Sequence, residues 1–231
     1  MFPAARVVAV WTVGEQALAA ALGRTRVCLI DNGVALDEFG SPADHSGPAR
    51  ILYVGLLTAR KGVVDLIDAS RQLRDEGIEH ELLLLGGTPD EGPDAELPVR
   101  AAADGRARLL GRRPPEQMPA AYAEADIFCL PSWWEAMPLS ILEAMASSLP
   151  VVATDVGDVS REVEDGTTGF VVPVQSPDQL AAALAKLLTD PDRRSRMGAA
   201  GRARAEARFS SVATAHAVGD LYAALSSGTR R

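Results

Sequence analysis

Two glutamates carry the clearest chemical signal in the chain. Glu135 and Glu143 stand eight positions apart in ADIFCLPSWWEAMPLSILEAMASSLP, residues 125–150. Glu135 follows an apolar run, IFCL, that reads as a strand, and so falls in the loop behind it. Glu143 falls one to two turns inside a helix that Pro138 is placed to open, because proline in the first helical turn forfeits no hydrogen bond. In parallel α/β sheets, ligands bind where strands end and helices begin. A helix N-terminus there offers N–H groups to an anion. The segment therefore suits a phosphorylated ligand, with one carboxylate ahead of the helix and one within it. Arg60 and Lys61, in GLLTARKG, also follow a strand and open a helix. Two cations at such a place suit a diphosphate, which arginine can grip bidentately. A solvated basic pair on a surface helix is the alternative reading.

The elements that must position these residues alternate from Arg50 onward. Strand ILYVG leads to a helix with Val63, Leu66, Ile67, Ser70 and Leu73 at helical spacing. Strand ELLLLGG ends in a loop rich in Pro, Gly and Asp, followed by a short helix and the strand RLLG. A helix over 116–124, strand DIFCL, the helix of Glu143, strand VVAT, a helix over 159–164, strand GFVV and a helix from near Pro177 complete the pattern. Continuous apolar strands separated by helices predict an α/β fold: a Rossmann-like parallel sheet covered by helices on both faces. Two further helices are expected near 193–208 and 212–226. Ahead of the alternation, 6–11 and 27–30 read as short strands around a weak helix, and 41–48 as a linker. The expected division is 1–40, 41–48 and 49–231.

Composition narrows the function classes. The chain has 231 residues, 47% hydrophobic and 23% charged, with a net charge of −8. That fits one large domain, or one domain plus a fragment, and argues against broad binding to nucleic acid or anionic membranes. No apolar run approaches the ~20 residues that span a bilayer. Trp11, Gly14 and Glu15 interrupt what a signal peptide would keep apolar. Cys28 and Cys129 both lie in apolar runs and read as buried, reduced thiols of a cytoplasmic protein. His45, His80 and His216 read as structural or exposed, and Asp190 and Asp192 as helix-capping residues around Pro191.

The run PSWWEAMPLSILEAMASSLPVVATDVGD, followed by EDGTTGFVVP, resembles the retaining glycosyltransferases of family 4, which have the GT-B fold. The likeness runs in register from about residue 7 to 209. It implies the C-terminal, donor-binding half of a hexosyl-type transferase, with Glu135 beside the donor sugar and Glu143 on the ribose of the nucleotide. The backbone of Met137, Pro138, Leu139 and Ser140 would face the sugar and diphosphate, and Arg60 and Lys61 would neutralise the leaving diphosphate. Gly55 and Gly86 would let backbone approach the donor, though a tight turn explains Gly86 equally well. Leu110, Gly111 and Arg112 match the position that meets the nucleobase; a plain strand end is the alternative. Ile30, Asn32, Gly33, Val34 and Phe39 match the segment that closes the family's first domain, so 1–40 is expected to be a remnant of the acceptor domain.

Some positions depart from the family pattern. Leu56 stands where many members carry arginine, and Arg60 is expected to compensate. Arg161 stands where many carry an acidic residue and Ser148 where they carry glycine; both departures look peripheral. Trp133 and Trp134 either wall the site or pack under the helix. The resemblance implies no metal and no cofactor beyond the nucleotide-sugar substrate. The implied partners are an acceptor and a separate N-terminal domain or a second copy of the chain. Val8, Val10, Trp11, Leu18, Leu22, Leu221, Tyr222 and Leu225 are the apolar residues expected to face them. The rival readings are a non-catalytic nucleotide-sugar-binding or interaction module, and a GT-B sugar-nucleotide epimerase, which depends on a different set of acidic and histidine residues.

Overall fold

The computed structural model describes residues 8–10, 12, 14, 17, 20, 27–88 and 107–227. Strands β1 (Val8–Val10) and β2 (Val27–Leu29) pair in parallel, apart from the main sheet. The main sheet has six parallel strands: β3 (Ala49–Val54), β4 (His80–Leu85), β5 (Ala107–Gly111), β6 (Ile127–Leu130), β7 (Val151–Thr154) and β8 (Gly169–Val172). Their order is β5-β4-β3-β6-β7-β8. Every residue of β6 and β7 is buried, as expected of continuous apolar runs lying between two helical layers.

Seven α-helices are described: α1 (Val63–Asp75), α2 (Met118–Ala123), α3 (Leu139–Ala146), α4 (Val159–Glu162), α5 (Pro177–Leu188), α6 (Pro191–Arg208) and α7 (Ser211–Ser227). α1 packs against α5, and α3 against α6 and α2. This covers both faces of the sheet, as the alternating pattern predicts. α1 buries Val63, Leu66, Ile67, Ser70 and Leu73, the residues its spacing singled out. Each fully buried aliphatic side chain contributes about 1.5–3 kcal/mol. Asp190 caps α6 by accepting the Arg193 N–H at 2.8 Å, in keeping with its reading as a cap.

Val34 and Phe39, ahead of β3, enter the same core as the sheet. Val34 bridges to Ser210, and Thr214 Oγ1 donates to the Asp31 carbonyl at 3.1 Å. The start of α7 therefore lies against the segment before β3. His80 is buried between Ser70 Oγ and the Ile78 carbonyl, and burial lowers its pKa. Cys129 is fully buried and its thiol is pushed up by that burial. Cys28 departs from expectation: it is only half-buried, on a strand whose sheet has two strands among the described residues. The helices expected between the first two strands and before RLLG fall largely or wholly outside the described residues.

Candidate functional site

β3 and β6 are neighbours, yet the chain leaves them in opposite directions. β3 is followed by β4 and β5 on one side, and β6 by β7 and β8 on the other. Such a reversal opens a crevice beyond the carboxyl ends of the two strands. Two loops meet there. From β3 comes the short 3-10 turn Ala59–Lys61; from β6 comes the loop carrying Trp133, Trp134 and Glu135. Gly62, at φ +67°, ends the turn and begins α1, and a Cβ on it would run into the Pro131 carbonyl. Only glycine allows this approach. The Trp133 N–H then donates to the Arg60 carbonyl at 2.9 Å.

With the backbones joined, Lys61 Nζ lies 2.7 Å from Glu135 Oε1, and Ser132 Oγ donates to that same oxygen at 2.7 Å. Both ion-pair partners are largely buried, which strengthens their attraction relative to a surface pair. Thr154 Oγ1 donates to the Ser132 carbonyl, and the Asp158 N–H to the Ala136 carbonyl at 2.9 Å. β7 and the turn before α4 thus hold the Glu135 loop from behind. Arg60 is turned elsewhere: its guanidinium lies 5.7 Å over the exposed ring of Trp134. Trp133 donates its indole N–H to Asp65 of α1 at 2.7 Å, so it packs beneath the loop. Leu56 is largely exposed.

Pro138 is the residue before α3, in an extended conformation; the helix proper begins at Leu139. The amides of Leu139 and Ser140, in the first turn, have no acceptor within the helix. Asn32 Nδ2 donates to the Met137 carbonyl at 3.0 Å, so the segment before β3 steadies this turn. Glu143 is half-buried on α3 and receives the Tyr122 hydroxyl at 2.6 Å on Oε2. Burial raises its pKa, and the phenol's hydrogen bond partly counters the rise.

The expected glycines stand in a row along the carboxyl ends of β3, β4 and β5. The Gly55 N–H donates to the Leu85 carbonyl at 3.0 Å, and the Gly86 N–H to the Gly111 carbonyl at 2.8 Å. Gly86, at φ +153°, has no room for a Cβ against Gly55. Leu110 is half-buried, and Arg112 donates to the Thr88 carbonyl at 3.1 Å.

A second group of acids adjoins Glu135. Arg161 bridges Asp31 at 2.7 Å and Asp158 at 2.6 Å. It is therefore not peripheral: it ties the segment before β3 to the turn behind the Glu135 loop. Glu162 has no exposed surface, and neither carboxyl oxygen has a partner among the described residues. Burial pushes its carboxyl well above the usual range; Asp158, Glu135 and Asp31 reinforce the rise and Arg161 opposes it. A cleft of about 360 Å³ opens beside these groups, lined by Thr12, Gly14, Trp134, Glu135, Ala136, Gly157 and Asp158. A similar cleft of about 370 Å³, bounded by Ser41, Ser148 and Arg194, lies at the opposite end of the strands, away from this chemistry. Ser148 has φ +57°, a backbone state that suits the glycine of the family pattern.

A doubly wound parallel sheet with its crevice between β3 and β6 places the chain in the class of Rossmann-like α/β domains. The sequence pattern of glycosyl transferases group 1 matches residues 37–204, and the chain belongs to that family. It is 37% identical over 218 residues to D-inositol 3-phosphate glycosyltransferase of Nocardia farcinica, covering 87% of this chain and 48% of that protein. It is 34% identical over 174 residues to alpha-D-kanosaminyltransferase of Streptomyces kanamyceticus, covering 74% and 45%. The chain spans about half the length of the curated relatives it matches. Sucrose-phosphate synthase from Thermosynechococcus elongatus superposes with a TM-score of 0.84 at 29% identity, covering 96% of this chain and 59% of that one. Anabaena HepE in complex with UDP and glucose gives 0.84 at 20% identity, covering 95% and 63%; at that identity the likeness concerns the fold, which is GT-B. No helix among the described residues is long and apolar enough to cross a membrane.

Proposed function

We propose that residues 49–231 form the donor-binding half of a retaining, hexosyl-type glycosyltransferase of family 4, and that 1–40 belong to the acceptor side, joined through 41–48. One observation carries this reading. The Lys61–Glu135 pair, at 2.7 Å, joins the two loops at the crevice where the sheet reverses. A cation and a carboxylate that neutralise each other there can exchange partners for a nucleotide sugar. The diphosphate draws Lys61 away, and Glu135 then accepts hydrogen bonds from the sugar's hydroxyls. Arg60, the backbone of Met137, Pro138, Leu139 and Ser140 and the α3 dipole complete the phosphate cradle. Glu143 receives the ribose, while Gly55, Gly86, Leu110, Gly111 and Arg112 border the nucleoside. In this reading the leaving diphosphate is stabilised by these cations and amides.

Calorimetry with UDP, GDP and ADP and their sugars tests the reading. Binding is expected in the micromolar-to-millimolar range, roughly −4 to −8 kcal/mol. Lys61→Ala is expected to weaken diphosphates about tenfold or more, the scale of one charged hydrogen bond, and to leave nucleosides nearly unchanged. No binding by any of these compounds at millimolar concentration would sink the donor-site assignment.

A further inference from the structure

We propose that Tyr122 is the positioning residue that makes Glu143 select a ribose, so that preference for ribonucleotides depends on a phenol from α2. The inference rests on the reading of Glu143 as the ribose carboxylate and adds a residue to it. Tyr122 is fully buried, and its ring is fixed between Phe39 and Phe128, each with its centroid 5.8 Å away. Its Oη lies 2.6 Å from Glu143 Oε2 and 3.3 Å from the Ser140 carbonyl. A phenol has one proton to give. When Glu143 is ionised, that proton goes to Oε2, and Oε1 is the oxygen left for a ligand. Its two lone pairs suit the paired hydroxyls of a ribose.

When Glu143 is protonated the direction reverses. The carboxyl donates to the phenol, the phenol donates to Ser140, and the carboxyl loses acceptor capacity. Tyr122 therefore holds Glu143 in its accepting form against the burial that favours the neutral one. Tyr122 does not compete as an anion, because burial pushes its own phenol far above its usual range. Among the described residues, Tyr122 on α2 is the titratable group that acts on Glu143; burial is the other influence.

The test compares the full chain with Tyr122→Phe and Glu143→Gln by calorimetry from pH 5 to 8. Ligands are the tightest-binding of UDP, GDP and ADP, its 2′-deoxy form, and inorganic pyrophosphate as a control. The parent is expected to prefer the ribonucleotide about tenfold or more, as for a hydrogen bond to a charged group. Tyr122→Phe should cut that ratio to about threefold or less and raise the pH midpoint of ribonucleotide binding, while pyrophosphate affinity stays unchanged. A lost ratio in Glu143→Gln beside an unchanged ratio and midpoint in Tyr122→Phe overturns the Tyr122 inference alone. A parent without preference overturns the Glu143 reading as well. If Tyr122→Phe fails to fold, 3-fluorotyrosine throughout the chain decides. A stronger donor of nearly the same shape should lower the midpoint, and an unmoved midpoint overturns the inference.

Discussion

At the scale of single residues, the chain gives three glutamate carboxyls three different environments. That of Glu135 is paired, that of Glu143 is hydrogen-bonded, and that of Glu162 has no hydrogen-bond partner among the described residues. A carboxyl kept protonated by the fold but ionised in the unfolded chain makes the folded state bind the extra proton. Stability then falls as pH rises from the ordinary carboxylate range toward the raised value. Glu162→Gln removes that slope. The variant should match the parent at low pH and become progressively more stable above it, reaching about 1–3 kcal/mol, the scale of a buried polar group left unpaired. Urea denaturation at a series of pH values measures this; parallel curves for parent and variant would contradict it. The placement of Glu135 in the loop and Glu143 in the helix was legible in the sequence because both lie on one strand–loop–helix segment, where spacing reports position. The contacts of Tyr122, Asn32, Arg161 and Glu162 were not. Their roles arise from contacts between elements far apart along the chain, which no local pattern encodes.

At the scale of elements, strand and helix periodicity alone specifies the parallel sheet and its two covering layers. The glycines needed the fold to be interpreted. Gly62 reads as an ordinary helix start, and only the approach of Pro131 explains why no side chain fits. The joint between helices depends on a residue with no motif at all. Arg202 of α6 directs one guanidinium nitrogen to the carbonyls of Leu36, Phe39 and Ala146. It thereby ties α6 to the end of α3 and to the segment before β3. Arg202→Met keeps the aliphatic stem and leaves those carbonyls without their donor. The expected cost is about 2–4 kcal/mol, somewhat above one charged hydrogen bond, read as a lowered denaturation midpoint with an unchanged slope.

At the scale of the whole molecule, α7 is the element least explained by the core. Val212, Val218 and Tyr222 are exposed along it, and its charged residues are few. Tyr222 faces outward as the sequence suggested, whereas Leu221 is half-buried. The side chains of Val8, Val10 and Leu225, and residues Trp11, Leu18 and Leu22, lie outside the described set. An apolar helical face of this kind favours association. The chain is expected to show concentration-dependent association in sedimentation velocity, and Tyr222→Glu to reduce it severalfold. A monomer across the micromolar range would count against the helix as a contact surface.

The strand order also has a consequence in time. β3 and β6 are the adjacent strands furthest apart in sequence, and contacts between distant segments carry the largest loop-closure entropy. β3 with β4 and β5, and β6 with β7 and β8, can each assemble from nearer segments, leaving the central seam to close last. The crevice where Lys61 meets Glu135 is a product of that seam, so neither half alone contains it. Under the proposed function, a nucleotide bound there would have nothing to grip until folding is nearly complete. It would then act as a latch on the finished molecule, slowing unfolding and leaving the rate of folding untouched.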